Sequence, residues 1–174
     1  MVKKVIKYIG LVLGALTCLP MFVATWNYAI SVNGEKSDPI TYKLFDKVGT
    51  IEKTALGDHF SQFWLTLFQI LVVVALVVAV LLIVVSVLDD LGVLKLQKVE
   101  KLLALVLAVV GLVALITVVI ASIVNKNTIE VLTVKTVYGI SGAVGAWLAS
   151  VFAVVGGALV YCGVEAKKKS KKKK

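Results

Sequence analysis

Long runs of apolar residues dominate the chain, and short polar stretches separate them. They cover about residues 8–30, 60–88, 102–124 and 137–164. A hydrocarbon core roughly 30 Å thick takes about 20 apolar helical residues to cross, and each run is long enough. No turn signal interrupts residues 70–87, so that stretch is not a soluble strand. The pattern predicts an all-α fold, a polytopic membrane protein whose residues 1–174 form one four-helix transmembrane bundle. The second and fourth runs exceed the minimum, so they tilt or project beyond the hydrocarbon. Asp58 is placed to cap the start of the second helix, and Phe60, Phe63 and Trp64 fall at that interface.

The segments between the runs carry turn chemistry. The longest covers about residues 31–57 and contains Asn33-Gly34 and Asp38-Pro39, both turn signals. Its apolar residues Ile40, Tyr42, Leu44, Phe45, Val48 and Ile51 match alternation in part and a helical face in part. A short amphipathic element resting on the helix ends is expected there. After the second run come Asp89 and Asp90, then Gly92 at a turn, then Lys95, Lys98 and Lys101 as the third helix begins. Exposed ion pairs between these groups are expected to contribute little. Pro20 interrupts the first run; it has no N–H for the carbonyl of Leu16, so a kink is expected.

Composition sharpens this picture. The chain is 60% hydrophobic and only 17% charged, where soluble domains are nearer half apolar and a quarter charged. All 19 basic residues are lysine, which excludes any site built on the planar arginine fork. Thirteen of them lie on one side: Lys3, Lys4 and Lys7, then Lys95, Lys98 and Lys101, then the tail of residues 165–174. That tail holds Lys167, Lys168, Lys169, Lys171, Lys172, Lys173 and Lys174. The positive-inside bias then predicts a multi-pass protein of the cell membrane with both termini cytoplasmic. The N-terminal run has a signal-peptide outline, but Phe22 stands where a small residue should precede Ala24, so an uncleaved span is expected. The polybasic tail is suited to an anionic inner leaflet; nucleic acid is not an expected partner.

Small residues recur every fourth position in the last run, at Ser141, Gly145, Ala149, Ala153 and Gly157. In lipid, such rows let helix backbones approach closely. The row serves packing within the chain's own bundle, or else a seam with a second copy or another membrane protein. Gly10 and Gly14 offer a smaller version on the first run.

Chemistry-bearing residues are scarce. No charged residue occupies the middle of any run, whereas proton-coupled pumps and voltage sensors need one at membrane depth. Gln69 is expected to bond a neighbouring helix. His59, the single histidine, stands beside Asp58 as an interfacial cap, short of a metal-ligand set. Cys18 and Cys162 differ too much in expected depth to form a disulfide. No cofactor is expected.

With four spans, a longer first outer loop and a shorter second, the layout resembles claudin-like tetraspan proteins, though that family's paired loop cysteines are absent. The reading that follows from these residues is a non-catalytic structural, assembly or partner-binding subunit of the cell envelope, not an enzyme. The alternative is a small transporter or pore subunit whose pathway forms in an oligomer.

Overall fold

The computed structural model describes residues 2–93, 95–131 and 133–171, the side chains of Lys3, Ile51 and residues 165–171 excepted. The chain begins with α1 (Val2–Ala15), which tightens into a 3₁₀ turn (Leu16–Met21). Three strands follow: β1 (Trp26–Val32), β2 (Glu35–Lys36) and β3 (Ile40–Tyr42). The short α2 (Thr50–Leu56) and a 3₁₀ turn (Gly57–His59) lead to the long α3 (Gln62–Asp90) and α4 (Gln97–Val124). Strands β4 (Lys126–Val131) and β5 (Val134–Gly142) form a hairpin before α5 (Val144–Lys171).

Among the described residues, four segments are long and apolar enough to cross a membrane: Lys4–Met21, Gln62–Asp90, Gln97–Val124 and Val144–Val164. They form a four-helix bundle. Val77, Val80 and Val84 on α3, and Leu105, Val109 and Leu112 on α4, are about half exposed. A helix that is apolar on its outward face as well as its inward one is stable in lipid, not water. The chain is therefore a multi-pass membrane protein.

Three boundaries differ from the sequence expectation. The first span closes at Met21 rather than near residue 30. Pro20 lies inside the 3₁₀ turn, so the backbone changes helix type and stops instead of kinking and continuing. The fourth span starts at Val144, because residues 137–142 belong to β5. Helix α3 begins at Gln62, which puts its cap position at Ser61 and leaves Asp58 within the preceding 3₁₀ turn.

The chain divides into two compact units. The first comprises Met1–Cys18, Leu71–Ala114 and Ala149–Lys174. Its core is built of Leu11, Val78, Leu82, Leu107, Val160 and Val164, with alanines at 75, 79, 104 and 153 between them. Backbones meet closely. A methyl group added at Gly10 would lie 2.8 Å from the carbonyl oxygen of Gly156, and one at Gly156 would lie 2.7 Å from the backbone nitrogen of Gly14. Helices α1 and α5 thus touch glycine against glycine, a packing mode that small residues alone permit.

The second unit comprises Leu19–Ile70 and Leu115–Leu148. It contains an antiparallel sheet in the order β2-β1-β5-β4, with β3 also pairing β1. The amphipathic element expected in the first loop is thus a set of strands plus the short α2. Asn33 (φ 50°) and Gly34 (φ 92°) turn β1 into β2. Two consecutive residues at positive φ make the tight hairpin turn whose twist suits the flanking strands, and Asn-Gly is its favoured sequence. Strand β1 pairs β5 along its full length, from Trp26↔Gly142 to Val32↔Thr136. The sheet therefore unites the two loops, which are far apart in sequence.

Candidate functional site

Two places concentrate polar chemistry. The first is an ionic cluster in the first unit. Lys7 Nζ lies 3.0 Å from Asp90 Oδ2 and 2.7 Å from Glu100 Oε1. The Tyr8 hydroxyl donates to the same Asp90 oxygen at 2.8 Å. Lys7 and Glu100 are both buried. One ammonium thus serves two carboxylates, and the contacts join α1, the end of α3 and the start of α4. Asp89, beside it, accepts a hydrogen bond from the Leu96 N–H at 3.2 Å and so holds the turn between α3 and α4. Asp90 thus draws a lysine from α1, a partner that the placement of lysines at the start of α4 does not suggest. Lys101 stacks its ammonium 5.2 Å from the Tyr161 ring, a cation–π contact.

A positional signal for this cluster exists in the sequence. Glu100 is spaced four and seven residues before Ala104 and Leu107, both fully buried, so it shares their inward helix face. Lys7 precedes Gly10, Leu11 and Gly14 in the same way. A lysine among several at an N-terminus nevertheless reads first as an orientation signal, which hides the pairing.

The second place is the sheet with its supports. Trp26 packs edge-on against Phe68, centroids 5.3 Å apart. Asn125 Oδ1 accepts from the Ser61 N–H at 2.6 Å, and Asn127 Nδ2 donates to the Ala55 carbonyl at 3.0 Å. Gln69, expected to bond a neighbouring helix, donates instead to the backbone carbonyl of Leu44 in the loop after β3. Pro20 O accepts from both the Leu44 N–H and the Thr25 hydroxyl, so the residue that ends the first span also anchors the loop. Burial pushes the Tyr28 phenol above its ordinary value, and the Glu52 carboxylate and Tyr138 add to the shift. Tyr42 is raised in the same sense, by burial first and then by its hydrogen bond to Glu52.

The small-residue row is divided between elements. Ser141 is exposed and lies on β5, opposite Asn27, not on a helix. Gly145 meets the backbone of Ala24, close enough that its own N–H donates to the Ala24 carbonyl at 2.9 Å. Ala149 and Ala153 are buried. Gly157 packs on the backbone of Ala104 and Ala108 in α4. Gly14 faces Leu107 and Ala79. Cys18 and Cys162 are both free thiols. His59 is exposed in its 3₁₀ turn. Among the described residues no three His, Cys, Asp or Glu side chains converge as a metal-ligand group. The tail lysines Lys167 to Lys169 and Lys171 to Lys174 lie outside the described side chains.

No protein family, no curated protein and no solved structure matches the chain.

Proposed function

We propose that this chain is a non-catalytic structural or assembly subunit of the cell envelope, which holds a folded sheet at the membrane surface for contact with a partner. The observation that carries the reading is the sheet itself. Two loops far apart in sequence are paired along β1 and β5, while apolar side chains at Val32, Ile40, Ile129, Val131 and Val134 remain exposed on its strands. Loops that serve only to connect helices need no such ordered platform. The close glycine contacts of the first unit are consumed within the chain, so they support an internal packing role for the small residues and leave the sheet as the contact surface.

In this reading both termini are cytoplasmic, the sheet is external, and the polybasic tail rests on the anionic inner leaflet. A transporter or pore subunit is the second reading. What favours it is the buried Lys7–Asp90–Glu100 cluster, since ionisable groups inside membrane proteins commonly mark ion pathways.

Purification in mild detergent, with attached proteins identified, separates the two. The assembly reading expects a stoichiometric partner, a second copy or another membrane protein, that is lost when sheet residues are changed. A protein without any partner that moves ions across vesicles would overturn it in favour of transport.

A further inference from the structure

Among the described residues, β4 is the last strand of the sheet and pairs with β5 alone. The Ile140 N–H donates to the Asn125 carbonyl at 2.8 Å, and this fixes the phase of the ladder. In an antiparallel pair, opposed residues alternate between those that exchange both backbone bonds and those that exchange none. Asn127, Ile129 and Val131 therefore turn their backbone groups toward β5. Lys126, Thr128 and Glu130 turn theirs outward, away from β5, and their side chains are exposed and share one face. That edge is an open template for another strand.

The charges at this edge have a symmetry. Lys126 and Glu130 stand at equal distances on either side of Thr128, with opposite signs. Glu130 also pairs with Lys135 of β5 at 3.1 Å, which holds its carboxylate on the shared face. Charges, prolines and bulges guard an edge against self-association, and charges do so where like meets like across the seam. Here, a twofold axis through Thr128 would bring each Lys126 opposite Glu130 of a second copy, and Thr128 opposite its twin.

We propose that β4 pairs antiparallel with β4 of a second copy of this chain, centred on Thr128. Each of the opposed pairs Lys126–Glu130, Thr128–Thr128 and Glu130–Lys126 exchanges its outward backbone bonds, and the unlike charges fix the register. Opposite-charge and Thr–Thr pairs both favour cross-strand association. The inference rests on the assembly reading above and names its partner.

The test uses the full chain in lipid vesicles. At a hydrogen-bonded antiparallel pair the Cα atoms are about 5.5 Å apart, within disulfide reach. Thr128→Cys should therefore cross-link into a dimer under mild oxidation, whereas Glu35→Cys on the opposite edge strand should not. Lys126→Glu and Glu130→Lys each place like charges at both symmetric pairs, and each should weaken dimer formation by about tenfold or more. Mixing the two variants restores unlike pairs across the interface, so the mixed dimer should form as readily as the original. That recovery also shows that both variants are folded. Cross-linking at residue 35 alone, no cross-linking at residue 128, or two variants whose mixture stays as weak as either alone would overturn the proposal. A chain that fails these tests yet still co-purifies with another membrane protein sinks the self-pairing and leaves the assembly reading intact.

Discussion

The ammonium of Lys7 lies 2.7 Å from the carboxylate of Glu100, with the lysine side chain 3% exposed and the glutamate fully enclosed. Neither charge has water to turn to, so each depends on the other. Removing one member of a buried pair costs about 3–5 kcal/mol, because the partner stays buried and uncompensated, whereas replacing the whole set by apolar groups is often neutral. Lys7→Met should therefore lower the melting temperature sharply. The triple change Lys7→Met, Asp90→Leu, Glu100→Leu should recover most of the loss. Thermal melts in one detergent compare them, and equal losses for the single and triple variants would mean the ion pairs do not govern this end of the bundle.

Glycine contacts between α1 and α5 give a second prediction. A methyl group at Gly156 would meet the backbone of Gly14 at 2.7 Å and of Gly10 at 2.9 Å, and backbone cannot move aside as a side-chain tip can. Gly156→Ala should destabilise by about 1–3 kcal/mol, the usual cost of overpacking. Val80→Ala on the half-exposed face of α3 should change little, since lipid fills the space. If both changes shift the melt equally, the close approach of the two helices is not a major source of stability.

The helices were legible because lipid imposes one requirement, length of apolar chain, which sequence displays directly. The strands were not, and Trp26–Val32 shows why. Its residues are mostly apolar and continue the run that begins at α1, so a hydrophobicity count reads straight through the break at Pro20. The alternation that marks β1, with Trp26 and Tyr28 buried and Asn27 less so, is brief. Its meaning depends on β5, which lies more than a hundred residues further along the chain. The Asn33-Gly34 turn was visible as a turn, and only its hairpin context was missing. Ser141 failed for the same reason: a four-residue spacing extends a helical row into a strand when nothing local stops it. Glu100 could be assigned to an inward face from Ala104 and Leu107, but its partner Lys7 is set by tertiary packing.

The raised tyrosines give a pH dependence in the sheet. Burial first, and the Glu52 carboxylate next, favour the neutral phenols of Tyr28 and Tyr42 in the folded chain. A folded-state value above the unfolded one means that the contribution is fully present below about pH 10, the ordinary phenol value. It falls as pH rises beyond that, because the unfolded chain ionises first. Stability measured at pH 9 and pH 11 should drop for the native chain, and the double variant Tyr28→Phe, Tyr42→Phe should lose less over the same interval. Identical losses would assign the alkaline sensitivity to other groups.

Orientation in the membrane is the remaining prediction, and it rests on lysine placement. Thirteen lysines flank one set of helix ends and six the other, and lysine resists transfer across a membrane during insertion. The sheet residues Lys36, Lys126 and Lys135 belong to the smaller group, so the sheet should face outward. The chain contains two native cysteines, both in membrane-spanning helices, which are replaced by serine to give a clean background. A cysteine introduced at Asn33, exposed at the hairpin turn, should then react with a membrane-impermeant maleimide added to intact cells. One introduced at Ser170, within the lysine tail, should react only after the membrane is opened. Labelling of residue 170 in intact cells, with residue 33 protected, would invert the protein. It would place the sheet in the cytoplasm and move any β4-mediated contact to that side.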